Sequence, residues 1–105
     1  LLKPLIDIPR MAEIGRDMMR ASLDAYLNWN AEQARRTVER DTEIDHLNDQ
    51  IYRELLTFML QDPRNINRAT HLLWVAHHLE RTGDRITNIC ERVIFMVTGE
   101  IGELE

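Results

Sequence analysis

The stretch Leu72–Val97, LLWVAHHLERTGDRITNICERVIFMV, leaves few folds open to this chain. Leu72, Leu73, Ala76, Leu79, Ile86, Cys90, Val93, Ile94 and Val97 recur at three- and four-residue steps, the period of a helix with one buried stripe. Glu80, Asp84, Asn88 and Glu91 lie in its middle. Glu80 and Asp84 are four residues apart, so their side chains share one side of the helix. Two bare carboxylates beside a core stripe repel each other and need something positive to neutralise them.

The remaining sequence supplies two more such helices. With only 3 Pro and 4 Gly in 105 residues there is little turn material, hence few elements. Residues 1–9 read as a leader in which Asp7 or Ile8 is the expected entry to a first helix, with Pro9 in its first turn, and the helical pattern runs from Arg10 to about Asn28. Met11, Ile14, Met18, Ala21/Ser22, Ala25 and Trp29 form its stripe, and Met11, Met18 and Met19 are most simply core filling. Asn28-Trp29-Asn30 breaks it. Asn30 is the expected cap of the second helix, with Gln33 three residues on. That helix is predicted to run from about Ala31 to Leu60, roughly 45 Å at about 1.5 Å per residue. Its stripe is Ala34, Val38, Asp41, Asp45, Asn48, Tyr52, Leu55 and Met59, apolar at both ends and polar in the middle. Pro63 sits in the next turn, the third helix is predicted from about Asn65 to Thr98, and Gly99 is its expected C-terminal cap. No β pattern appears. Three long helices on short turns predict an all-α, antiparallel up-down-up three-helix bundle over residues 1–105.

Register arithmetic then joins the two acidic pairs. Asp45 lies 18 residues before Pro63 and Glu80 lies 17 after it; Asp41 lies 22 before and Asp84 lies 21 after. Folded back as a hairpin, the pairs come level. Four ionised carboxylates in a partly desolvated place would cost several kcal/mol if nothing opposed them. One remedy is a hard cation such as magnesium, manganese, calcium or iron, for which bundle cores provide carboxylate sites. The other is ion pairing with Arg40, Arg81 and Arg85. Gly83, mid-helix, costs about 1 kcal/mol against Ala and needs a reason, such as close approach of a neighbouring helix or a ligand. His77, three residues before Glu80, reads first as a boundary residue and second as a ligand. Cys90 reads as a small core residue.

Several function classes are disfavoured. A net charge of −5 argues against nucleic acid and against an anionic membrane surface. A single cysteine allows no intrachain disulfide and points to a reducing compartment. No run of about 18 apolar residues and no signal peptide is visible, so a soluble cytoplasmic protein is expected. There is no phosphate loop, nucleophile elbow or cysteine-rich metal motif. The opening LLKPLIDIP, without a Met, suggests a fragment of a longer chain, and Leu104-Glu105 an appended scar.

LERTGDRITNICERVIFMVTGE, from Leu79 to Glu100, resembles the end of a PhoU domain, with its Leu-Glu-Arg-x-Gly-Asp-x-x-x-Asn-Ile-x-Glu pattern. Asp41-Thr42-Glu43-Ile44-Asp45 resembles the family's Asp-x-x-x-Asp segment, and PLIDIPRMAEIGRDMMRASLDAY resembles the opening of a second PhoU repeat. The resemblance implies the C-terminal half of a two-repeat protein, with Asp41, Asp45, Glu80 and Asp84 holding metal. Iron, manganese, magnesium or zinc are the expected metals. It implies a non-enzymatic negative regulator of phosphate uptake. The expected partners are the ATPase subunit of a phosphate ABC transporter and a phosphate-sensing histidine kinase. A homodimer is the expected assembly. Two alternatives remain: a cytosolic PhoU-like domain of a sodium–phosphate cotransporter, or a carboxylate-bridged di-metal enzyme. The latter normally carries Glu-x-x-His, and Glu80 is followed by Gly83 and Asp84 instead.

Overall fold

Each helix boundary follows from a residue that ends or starts backbone hydrogen bonding. The computed structural model describes residues 4–99, with side chains from residue 7 onward; the expectation about Leu104-Glu105 lies outside the described residues. Helix α1 spans Pro4–Asn28, α2 Ala31–Gln61 and α3 Ile66–Thr98, with a 3-10 turn at Pro63–Asn65. No strand occurs among the described residues. Asn30 caps α2 through its side chain, which accepts from the Gln33 N–H at 3.0 Å. Asp62 caps the 3-10 turn by accepting from the Arg64 N–H at 3.0 Å, and the Arg64 guanidinium holds the Asp62 carboxyl below its ordinary range. Gly99 adopts φ 75° and sends its N–H to the Phe95 carbonyl at 2.7 Å, the left-handed stop expected of glycine there.

The three helices pack pairwise. The molecule measures 53 × 23 × 16 Å, the length of its longest helix by three side-by-side rods, as an up-down-up bundle requires. Met11, Met18, Ile44, Ile51, Leu55, Ile86 and Val93 are fully buried and form the core, with Cys90 beside them as a small core residue. Burial pushes the Cys90 thiol up to about 11, so it stays protonated at neutral pH.

Three expectations are corrected. Helix α1 begins at Pro4, not at Asp7 or Ile8, and carries Pro9 in its interior. Pro4 takes the first-turn place where a missing N–H is harmless. Asp7 and Met11 are both buried, so packing holds this stretch despite the carbonyl that Pro9 leaves without a donor. On α2 the buried line is Ala34, Thr37, Ile44, Ile51 and Leu55, and Asp41, Asp45, Asn48 and Tyr52 run along its edge. One residue is 100° of helix, so a stripe drawn through the polar positions is rotated off the true core. At the bundle ends, Trp29 and Val97 are exposed rather than part of their stripes.

Trp29 holds a strained conformation. Its φ is 52°, and around it the Asn30 N–H reaches the Ala25 carbonyl at 2.9 Å and the Trp29 N–H reaches Tyr26 at 3.4 Å. These two bonds make a Schellman motif whose left-handed position normally takes glycine. A bulky residue there costs about 1–2 kcal/mol, and the indole, 60% exposed, returns little packing. Trp29→Gly is therefore expected to stabilise the bundle by roughly 1 kcal/mol, raising the melting temperature by about 4–8 °C in a thermal unfolding measurement.

Candidate carboxylate site

Helices α2 and α3 meet at a glycine. A Cβ built on Gly83 would lie 2.6 Å from Asp41 Oδ1 and 3.3 Å from Ile44 Cδ1. Only the absence of a side chain lets the Asp41 carboxylate rest on α3, which is the close approach that accounts for a mid-helix glycine. Asp41 Oδ1 is buried and has no hydrogen-bond partner. One turn along, Asp45 and Glu80 lie close enough to perturb each other, and both carboxyls stand above their ordinary range, first through burial. Asn48 Nδ2 donates to Glu80 Oε2 at 3.2 Å. Asp41 thus lies against Gly83, next to Asp84, and Asp45 faces Glu80, the register that counting from Pro63 anticipates.

The four acids feel one another. The Asp41 carboxyl is pushed up to about 6, first by burial and then by the charges of Asp45, Asp84 and Glu80. Asp45 lies above its ordinary range through burial and then the Asp84 charge, with His46 opposing. Glu80 is raised by burial and then by Asp45 and Asp84, with His77 opposing. Arginine does not relieve this. Among the described residues Arg40 pairs with Glu43 at 3.4 Å, and neither Arg81 nor Arg85 forms an ion pair with the four carboxylates. Nor, among the described residues, are three or more His, Cys, Asp or Glu side chains gathered in metal-holding geometry. The site is electrostatically coupled and its side chains are not drawn in around one point.

The donor chemistry fits a hard cation. All four groups are carboxylates, one oxygen is buried and unpartnered, and a glycine leaves the space it occupies. Asn48 escaped notice as a site residue in the sequence. Its position three after Asp45 was the available signal, since the same register brings it to Glu80. His77 stands exposed on the outer side of this site, its ring 6.1 Å from that of Trp74. Asn88 is exposed and joins nothing here.

Raised carboxyl pKa values have a pH consequence. A group protonated more readily in the folded state stabilises that state fully below its unfolded pKa of about 3.8, and the contribution is lost as pH rises through about 6. In chelator, the unfolding free energy is expected to rise by roughly 1 kcal/mol from pH 7 to pH 5, less than full linkage gives because solvent screens the site. Urea unfolding at the two pH values checks this, and Asp41→Asn should flatten the difference.

Fold and site together define a class: three-helix bundles that collect carboxylates between two of their helices. The PhoU domain family model matches residues 8–93. The chain belongs to the PhoU family. It is 44% identical over 92 residues to a protein of Rhizobium meliloti named phosphate-specific transport system accessory protein PhoU homolog, covering 88% of this chain and 39% of that one. Identically named proteins of Caulobacter vibrioides and Aquifex aeolicus are 46% and 41% identical, over 89% and 95% of this chain and 40% and 45% of theirs. The chain therefore spans less than half the length of these relatives. Among the described residues no helix is long and apolar enough to cross a membrane.

Proposed function

We propose that this bundle is a cation-holding regulatory module of a phosphate transport system. The observation that carries the reading is the set of four mutually repelling carboxylates of α2 and α3, one of them resting on Gly83, with no arginine to relieve them. Asp41, Asp45, Glu80 and Asp84 hold the ion, and Asn48 orients Glu80 by donating to it. A bound cation supplies the positive charge that these acids lack. Iron, manganese, magnesium or zinc would serve, and the all-oxygen donor set favours the harder of these.

The relatives' names, accessory proteins of phosphate-specific transport systems, support a role beside such a transporter, and the rest of the proposal extends that role. The parent protein is a cytoplasmic negative regulator and not an enzyme. It is a two-repeat adaptor, of which this bundle is the C-terminal repeat. It meets the transporter's ATPase subunit and a phosphate-sensing histidine kinase, and the bundle self-associates as a homodimer. Two measurements test it. Dialysis against Mn2+ or Fe2+ followed by elemental analysis should find stoichiometric metal on the native chain and little on an Asp41→Asn/Asp84→Asn variant. Absence of retained metal ends the cation reading. Co-purification of the full-length parent with the ATPase subunit and the kinase tests the adaptor reading, and failure to retain either one ends that.

A further inference from the structure

Past Asn48 the seam between α2 and α3 turns from acidic to aromatic. Asp41, Asp45, Asn48 and Tyr52 follow at three- and four-residue steps along α2, and Asp84, Glu80, His77, Trp74 and Thr70 do so along α3. The carboxylates therefore lead into a groove of about 370 Å³, to which Asn48, Tyr52, Thr70, Trp74 and His77 contribute. Tyr52 and Trp74 are 51% and 55% exposed, so the groove presents aromatic surface that the bundle's own core does not use. Asn48 joins the two halves of the seam. Its Nδ2 donates to Glu80 Oε2 at 3.2 Å, and its Oδ1 takes no hydrogen bond among the described residues. The Thr70 hydroxyl donates to the Ile66 carbonyl at 2.7 Å, so its oxygen meets the groove as an acceptor.

Aromatic rings, free acceptors and a run of carboxylates at one end select a cation. The acids repel an anionic occupant. A quaternary ammonium suits the rings but has no N–H for the acceptors, and a lysine ammonium has donors but no flat face to stack. Guanidinium has both, with five N–H donors in one plane. We propose that this groove takes an arginine side chain of a partner protein, its guanidinium against Tyr52 and Trp74 and its N–H groups donating to Asn48 Oδ1 and Thr70 Oγ1. The neighbouring Arg53 is already engaged, with Asp49 at 3.0 Å. The attracting charge comes from the acids themselves, so docking does not require a bound ion.

Titration in chelator with N-acetyl-arginine amide tests this apart from the cation proposal. In a Trp29→Phe background Trp74 is the only tryptophan, and its emission should change saturably, with a midpoint in the millimolar range. The uncharged isostere N-acetyl-citrulline amide should bind about tenfold more weakly, and N-acetyl-lysine amide and choline should also be weaker. Tyr52→Ala should weaken arginine binding about tenfold while leaving the helical circular dichroism spectrum native; Tyr26→Ala, at the far end of the bundle, should leave it unchanged. No saturable response overturns the proposal, and so does equal binding of citrulline or tighter binding of choline. Indifference to Tyr52→Ala removes the groove as the place. A response present in this chain and lost in the full-length parent means that the parent's own chain covers the groove, which overturns a partner's arginine there.

Discussion

Asp41→Asn is expected to reverse its stability rank against the native chain when a divalent cation is added. In chelator at pH 7 the variant should be the more stable by roughly 1 kcal/mol, because it removes the most raised of the site's carboxylates while keeping the side-chain shape. The buried Oδ1 loses its charge rather than a partner, since it has none. With Mn2+ at a hundredfold excess over its Kd, the native chain should gain about 2.7 kcal/mol by mass action. The variant, short of one anionic ligand, should gain far less. The curves therefore cross, and thermal melts with and without metal read the crossing. If the variant is more stable by the same margin in both conditions, the four acids are a solvated seam and the cation proposal is wrong.

Gly83→Leu carries the other large expected effect. A branched side chain of four carbons has to enter where one carbon already lies 2.6 Å from Asp41 Oδ1 and 3.3 Å from Ile44 Cδ1. Ile44 is fully buried and cannot swing into solvent. Overpacking of this kind costs typically 1–3 kcal/mol, and the upper part of that range is expected. Displacement of Asp41 should also abolish any metal-dependent gain. Gly83→Ala should be far milder: its helix-propensity gain of about 1 kcal/mol is offset by turning the short Asp41 side chain aside. Gly15→Ala is the control, since open space there should let the propensity gain appear almost whole. Chemical denaturation of the three variants separates a requirement for close helix approach from glycine's general helix cost.

The sequence made the bundle and the meeting of the acids legible because both rest on local rules. Asn30 with Gln33, Pro63 and Gly99 mark helix ends by backbone chemistry that tertiary packing did not override. The register between α2 and α3 was countable because one short turn joins two helices of equal rise. Rotation about each helix axis was harder to read. Val38, Asp41, Asp45 and Tyr52 keep a helical period as faithfully as Ile44, Ile51 and Leu55 do, and periodicity alone cannot say which line faces inward. The left-handed residue between α1 and α2 was equally hidden: two asparagines flank it, yet the Schellman bonds fall around Trp29. Arginine partners were beyond reach because their long side chains choose among several acids, and Arg40 took Glu43. The family resemblance supplied what local rules do not, namely the expectation of a metal and of transporter and kinase partners.

All four acids belong to α2 and α3, and α1 contributes none of them. An ion seated there fastens one hairpin and adds no bond to the first helix. Slow amide exchange should consequently deepen along α2 and α3 when metal is added, while α1 keeps the protection it already had. Metal loading would thus divide one bundle into a stiffened pair and a looser third rod, the part most easily exchanged for a partner's helix.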